Sequence, residues 1–454
     1  MHQLVERIKT LPLMLKKPFV LAILGVVVLF GYSCHQPKTP GDKRPNIVLI
    51  ISDDQGWTDY GFMGHPAIET PNLDSLSKSS LCFTHGYCTA PLCSPSLASM
   101  ITGLYANQHG ITGNDPAFAF DGPHYSKEWL LARQPHFDTL KNTFYQHKLL
   151  TEYLSDAGYR SLQTGKWWLG SWKEGHFDDG MTTGDPEQGG RHGDEGLEIG
   201  RKGLNKIFSF INEAREDHQP FFVWYAPFLP HTPHTPPDSL FEKYRQKTKS
   251  EYVAKYYAMC EWFDQTCGEL INYIKDQHLA EETLIIYTCD NGWIQKEDEN
   301  GFADRSKRSP YDMGIRTPMM IHWPGKVEAK MIDTIPASNI DIVPTILSAV
   351  GIDYDSLPGI NLLDLTPDRR VIYAEAFEHD VADVKIPTKS LQYQIAIEYP
   401  WKLILPNLQV MGEDAQPELY NLEVDPEEKE NLINENQGKA TRLKNKLQLQ
   451  WPLN

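Results

Sequence analysis

Two apolar runs that end the same way constrain this chain more than any other feature. "NIVLIISDD" (residues 46–54) and "TLIIYTCDN" (residues 283–291) each close a β-branched stretch with oxygen-bearing residues. Runs of this kind read as strands buried on both faces of a parallel sheet. Ligands of open α/β sheets gather where such strands end. Adjacent carboxylates such as Asp53 and Asp54 repel one another unless a cation or a shared proton lies between them. Ser52 or Asp53 could cap a helix instead, but a cap needs only one short polar residue. Asp290-Asn291-Gly292 taken alone is an ordinary turn sequence, and its weight comes from repeating the pattern of the first strand. Asp53, Asp54, Asp290 and Asn291 together offer carboxylates and one neutral amide oxygen. Such a set suits one hard divalent cation, Ca²⁺ ahead of Mg²⁺, whereas zinc would more often draw His or Cys.

The rest of the chain keeps the same alternation. "QPFFVWYAP" and "TPMMIHWPG" read as further strands, separated by helices such as "GLNKIFSFINEARE", "AKYYAMCEWFDQTCGELINYIKD" and "SNIDIVPTILSAVGI". Cys260 and Cys267 fall among the helically spaced apolar residues and read as packing residues. This predicts an α/β fold, a large mainly parallel or mixed sheet sandwiched by helices. From about residue 366 the pattern changes. "RVIYAEAF", "QYQIAIEYPWKLILP" and "PELYNLEV" read as antiparallel strands, followed by a charged helix over residues 428–451. The expected organisation is therefore a leader at 1–34, a linker at 35–45, a catalytic domain at 46–365 and a C-terminal subdomain at 366–454.

The leader has its own logic. Arg7, Lys9, Lys16 and Lys17 precede "PFVLAILGVVVLFGYSC", which ends in Ser33 and Cys34. That is a basic region, a short apolar region and a cleavage site. Cys34 is the expected lipidation site of a bacterial lipoprotein, and an uncleaved membrane anchor is the alternative. Either way the bulk of the chain is exported, to the periplasm or the outer membrane of a Gram-negative bacterium, on a polar Pro-rich tether. Contact with membrane is expected only through this segment. The net charge of −17 argues against nucleic-acid binding. Beyond Cys34, six cysteines at irregular spacing suggest no disulfide framework.

With these residues in view, the chain resembles the type I sulfatases of the alkaline phosphatase superfamily along nearly all of its length after the leader. "NIVLIISDDQGW" resembles the family's first metal strand, and "LCSPSLASMITGLYANQHGI" its nucleophile region. "TGKWWLG", "PHTPH", "YTCDNGW", "KRSPYDMGIRTP" and "ELYNLEVDPEEKENL" follow in family order. The resemblance implies a metal-dependent sulfuric ester hydrolase, acting on a small-molecule or glycan sulfate ester. In that family the Cys or Ser of C/S-x-P-x-R is oxidised to formylglycine by a dedicated generating enzyme. The hydrated aldehyde attacks sulfur, and its second hydroxyl later expels sulfate. An ordinary hydroxyl would instead be trapped as a stable ester. By motif position Cys93 is the nucleophile precursor and also touches the metal, while Asp53, Asp54, Asp290 and Asn291 are the other ligands. Lys166 and Lys307 correspond to sulfate-facing lysines. His231 corresponds to a histidine near the leaving group, with His234 the other candidate of that pair. Arg316 is expected to brace a loop.

Two positions depart from the family pattern. Leu97 replaces the arginine of C-x-P-x-R, and Trp168 stands where GKWHLG has histidine. Both lost residues serve formylglycine in the family. Three readings follow, in order. Residue 93 is formylglycine and cations come from elsewhere, Arg191 and His192 of "GGRHGDEG" being candidates for substrate binding. Alternatively Cys93 stays a thiol, and the chemistry is that of a metal-dependent phosphodiesterase or phosphonate hydrolase. In the third reading the chain binds sulfated glycans without turnover. Inserts at residues 113–148 and 171–200, rich in aromatics, His and Gly, are the expected source of substrate selection.

Overall fold

The computed structural model describes residues 44–124, 126–184, 195–354, 356–364 and 370–451. Cys34, Arg191 and His192 lie outside the described residues. The central sheet begins with β1 (Asn46–Ser52), β2 (Leu81–Tyr87), β3 (Asp115–Pro116), β4 (Arg160–Gly165), β5 (Asp179–Gly180), β6 (Phe221–Ala226), β7 (Thr283–Cys289), β8 (Arg316–His322), β9 (Lys330–Ile332) and β10 (Ala337–Ser338), β3 alone standing outside it. Its order is β10-β2-β8-β7-β1-β6-β4-β5, with β9 paired to β2. β1 lies in the middle, parallel to β6 and β7. Among the described residues the one reversed strand is β8, antiparallel to both β2 and β7.

The side chains of β1 explain its position. Ile47, Leu49 and Ile51 enter one apolar cluster, and Val48 and Ile50 enter another. Both faces of this strand are thus covered, as its unbroken apolar run requires. Each such side chain contributes roughly 1.5–3 kcal/mol on burial. Helices α1 (Pro71–Lys78), α2 (Cys93–Thr102), α3 (Lys127–Phe144), α4 (Leu150–Asp156), α5 (Asn205–Glu216), α6 (Asp238–Arg245), α7 (Glu251–Asp276) and α8 (Ile342–Val350) flank the sheet. The first cluster takes residues of α2, α3, α4 and α8, and the second those of α1, α5 and α7. Cys267 packs in the second cluster and Cys260 in a smaller one with Tyr256 and Trp293. All six cysteines of the described residues are free thiols.

Strands β11 (Ile372–Phe377), β13 (Leu391–Glu398), β14 (Trp401–Pro406) and β15 (Glu418–Asn421) form an antiparallel sheet, and β12 (Asp380–Val381) pairs with β3 instead. One face of that sheet packs under α9 (Gln437–Gln450). Its other face meets Tyr87, Cys88 and Ile315 of the larger part. The last helix is shorter than the charge pattern suggests. It starts at Gln437: Glu428 takes a left-handed conformation (φ 56°) and turns its carboxylate inward, and Asn431 and Leu432 are tied to Leu419 of β15 instead of continuing a helix. The insert at residues 113–148 is likewise largely the helix α3.

Candidate active site

Strand register assembles the site. Ser52 of β1 lies opposite Cys289 of β7, so Asp53 and Asp290 leave the sheet side by side. Gly165 ends β4 opposite Ala226 of β6, so Lys166 and the loop carrying His231 leave along the same edge. Because β8 runs antiparallel to β7, it begins where β7 ends, and the segment just before it carries Lys307. Cys93 is the first residue of α2.

The carboxylates converge. Ligand atoms of Asp53, Asp54, Cys93 and Asp290 all lie within 4.8 Å of one another. Asp54 has φ 61°, and its N–H donates to Asp290 Oδ1 at 3.1 Å. Asn291 Nδ2 donates to Asp54 Oδ1 at 2.7 Å. Gly292 lets this turn pass close to its neighbour, since a Cβ there would lie 2.1 Å from the Met313 carbonyl oxygen. Two ammonium groups are threaded among the acids. Lys166 donates to Asp53 Oδ1 and, at 3.0 Å, to Asp290 Oδ2. Lys307 lies 2.5 Å from Asp54 Oδ1 and 3.1 Å from Cys93 Sγ.

The electrostatics follow from burial and from these pairs. Burial pushes the Asp53 carboxyl well above the usual range, against the pull of Lys166. Burial acts on Asp54 too, but Lys307, His231 and Lys166 outweigh it and hold that carboxyl below its usual value. Burial would neutralise both lysines, yet Asp290 and Asp53 keep Lys166 charged, and Asp54 does the same for Lys307. Burial pushes the Cys93 thiol up to about 12, opposed by the two ammonium groups. The surrounding protein groups therefore leave this thiol protonated at neutral pH.

A test of metal binding comes from the oxygens that remain. Asp53 Oδ2, Asp54 Oδ2 and Asn291 Oδ1 are buried and have no hydrogen-bond donor. Such atoms are costly unless something satisfies them. His231 adds a second sign. Its Nδ1 lies 2.5 Å from the Thr232 carbonyl, so that nitrogen carries the hydrogen. Its bare Nε2 then faces Asp54 Oδ2 at 3.5 Å, two acceptors pointed at each other. Burial lowers this imidazole to about 3, so it is neutral. A hard divalent cation with oxygen ligands fits the orphaned oxygens.

The departures from the family pattern are both absorbed by packing. Leu97, one turn after Cys93, is 5% exposed and belongs to the first apolar cluster. The face of Trp168 lies against Lys166, whose Nζ is 4.2 Å from the ring centroid. His234 stands apart from the acids. It is buried against Tyr256 and Trp293, with ring centroids at 5.5 and 6.4 Å, and neither of its ring nitrogens has a partner. Arg316 braces its surroundings, donating to the Thr84 carbonyl at 3.0 Å and lying over the Trp57 ring. Two residues had no local signal in the sequence. Tyr256 of α7 donates to the Asp54 carbonyl at 3.1 Å and to Asp59 Oδ2 at 2.6 Å. Asn114 Oδ1 accepts from the Ser94 N–H at 3.0 Å, next to Cys93.

Comparison with known proteins places this geometry in context. A family model described as Sulfatase matches residues 45–352. A second, described as N-sulphoglucosamine sulphohydrolase, C-terminal, matches residues 298–451. N-acetylgalactosamine-6-sulfatase of Homo sapiens is 28% identical over 365 residues, 72% of this chain; the alignment spans 66% of the human protein. N-acetylglucosamine-6-O-sulfatase of Bacteroides thetaiotaomicron is 22% identical and covers 94% of this chain and 88% of its own length. Among solved structures, Ps i-CgsB superposes with a TM-score of 0.71 at 24% identity, over 90% of this chain and 93% of that one. That protein has also been solved in complex with k-i-k-neocarrahexaose. Another similar fold, TM-score 0.68 at 20% identity, covers 90% of this chain and 98% of that one, and was solved with its substrate D-glucosamine-2-N,6-O-disulfate.

Proposed function

We propose, from the premise that this chain belongs to the sulfatase family, that it hydrolyses a sulfate ester on a sulfated glycan with residue 93 as a formylglycine nucleophile. The observation that carries the reading is the cluster of Asp53, Asp54, Asp290 and Cys93 ligand atoms, with orphaned oxygens on Asp53 and Asp54 and two charged lysines bonded to its members. Asp53, Asp54, Asp290 and Asn291, with residue 93, would hold one divalent cation, Ca²⁺ ahead of Mg²⁺ because so many protein ligands in one site suit Ca²⁺, whereas Mg²⁺ usually keeps several waters and only one or two carboxylates. Bound there, the cation would supply Lewis-acid polarisation of a sulfate oxygen and lower the pKa of the attacking hydroxyl.

The chain's own residues define the rest. Lys307 reaches residue 93 directly and is placed to pair with an oxygen of the transferring sulfuryl group. Lys166 is fixed by two carboxylates and the Trp168 face, and supplies a second fixed positive charge. His231, with its Nδ1 hydrogen committed to Thr232, presents a bare Nε2, which must first take up a proton from water before it could pass one to the leaving oxygen. Binding of a sulfated glycan is supported by the ligands of the similar folds, one k-i-k-neocarrahexaose and one D-glucosamine-2-N,6-O-disulfate. The enzyme that would generate formylglycine is the implied partner, and Cys34 the proposed lipid anchor of an exported protein.

The deciding experiment is expression of the full chain in a host carrying a formylglycine-generating enzyme. Release of inorganic sulfate is measured over a panel of sulfated mono- and oligosaccharides, with mass spectrometry of the peptide containing residue 93. The expected result is turnover accompanied by a residue in which an aldehyde oxygen has replaced sulfur and two hydrogens. Active protein containing only unmodified cysteine would overturn the formylglycine assignment. It would favour the second reading, a phosphodiesterase or phosphonate hydrolase, for which the packing of Leu97 and Trp168 around residue 93 is the supporting observation. Metal-dependent binding of sulfated sugars without turnover would favour the third.

A further inference from the structure

Lys307 sits on a segment that the large sheet alone does not hold. Arg305 and Arg308 both have left-handed backbones, with φ 60° and 67°, a conformation disfavoured for residues with a Cβ. Such a stretch persists only where its surroundings over-determine it. On the side of the large domain, the Arg308 N–H donates to the Pro91 carbonyl at 2.8 Å. The Tyr87 hydroxyl adds a bond to Asp312 Oδ2 at 3.3 Å and the Gly292 N–H one to the Gly314 carbonyl at 2.9 Å. A second set of restraints comes from the C-terminal part. Lys402 of β14 is wholly buried and pairs with Asp312 Oδ1 at 2.9 Å and with Glu428 Oε1 at 2.7 Å. The other Glu428 oxygen accepts the Asp312 N–H at 2.6 Å. The Glu428 carbonyl accepts from Arg305 at 2.5 Å, and the Arg305 guanidinium lies 3.4 Å from the centroid of the Tyr311 ring. Tyr311 in turn donates to Glu418 of β15 at 3.0 Å.

These contacts grip the segment at Arg305 and at Tyr311–Asp312, on either side of Lys307. They are directional, and the Lys402, Asp312 and Glu428 charges in them are buried, so that part of the arrangement has few alternatives that satisfy every group. We propose that the buried Lys402–Asp312–Glu428 triad is a positioning device that sets the Lys307 ammonium at residue 93. The C-terminal sheet is thereby a working part of the active site, although Lys402 and Glu428 touch none of the reacting groups. The proposal rests on the reading of Lys307 as the cation that meets the substrate's sulfate group.

The test uses the full chain and two variants. Glu428→Gln weakens the triad while keeping the Lys402–Asp312 pair, and Arg305→Gln releases the opposite end from an exposed position. Hydrogen exchange is followed in peptides covering residues 303–316, with β7 and α7 as internal references. Turnover of 4-methylumbelliferyl sulfate is measured alongside, with kcat and KM separated. The expected result is roughly tenfold faster exchange confined to residues 303–316, a fall in kcat of about tenfold or more, and recovery of both by Glu428→Asp. Folded variants whose 303–316 exchange matches the wild type would overturn the proposal. So would faster exchange in every peptide alike, which marks general destabilisation. A wild type that hydrolyses no sulfate ester would sink the functional reading instead, and the exchange result would still decide whether the triad holds the segment.

Discussion

The Lys307 ammonium stands 3.1 Å from the Cys93 sulfur, beside the residue that would attack substrate. Its charge is secured by Asp54 rather than by solvent. A fixed cation beside developing negative charge acts mainly on the transition state. Lys307→Met should lower kcat on a sulfate ester by roughly 100- to 1,000-fold, equivalent to about 2.7–4 kcal/mol. Lys307→Arg should recover part of that, its guanidinium being longer and planar. Steady-state kinetics on variants with wild-type thermal midpoints provide the check. Near-normal kcat in Lys307→Met would remove this residue from the chemistry.

Asp290 tests the cation. Orphaned oxygens on Asp53, Asp54 and Asn291 predict that Ca²⁺ stabilises the fold by mass action. The gain should approach about 2.7 kcal/mol at a hundred times the dissociation constant. Chelator-treated protein should show a rise in thermal midpoint as Ca²⁺ is titrated, and Asp290→Ala should abolish the rise. A midpoint indifferent to Ca²⁺ and Mg²⁺ alike would argue that the two lysines already neutralise the acids.

Leu97 occupies the position where the family pattern has arginine, and it is buried within the first apolar cluster. Leu97→Ala should cost about 2–5 kcal/mol by opening a cavity. Leu97→Arg should cost at least as much, since a guanidinium would enter that cluster without a partner there. Denaturant midpoints measure both. An arginine variant as stable as the wild type would show that the site retains room and acceptors for the missing cation.

The oxygen set was legible because its signal is local. Asp53, Asp54, Asp290 and Asn291 each follow a strand that announces itself by its apolar run, and parallel register does the rest. Lys166, Lys307 and His231 were legible only through the motif frame, since a lone Lys or His has no periodicity to mark it. Tyr256, Asn114 and Lys402 were not legible at all. Each acts through a contact between segments distant in sequence, such as Lys402 with Asp312 and Tyr256 with Asp54. The start of the last helix was misplaced for a related reason. Glu428 looks like a helix-forming surface residue, and only the buried Lys402 explains why it turns inward.

A buried acid away from the site gives a prediction in pH. Glu375 of β11 is 1% exposed, and its carboxylate accepts the Asn107 N–H at 3.1 Å. Burial raises its pKa to about 8, and the Asn107 bonds only partly oppose this. Because the folded value lies above the unfolded one, the folded state binds the extra proton. The associated stability is fully present below about pH 4.5 and is lost as pH rises toward about 8. The loss across that window should be on the order of 3–5 kcal/mol. Glu375→Gln keeps an oxygen to accept the Asn107 N–H but cannot ionise. Its midpoint should therefore sit near that of the wild type at pH 5 and above it at pH 8.5, with the gap opening steadily between. Urea unfolding at pH 5, 7 and 8.5 measures the gap. Curves that run parallel across this range would mean that the buried carboxylate finds a compensating donor when ionised, and that burial at this position does not hold the proton.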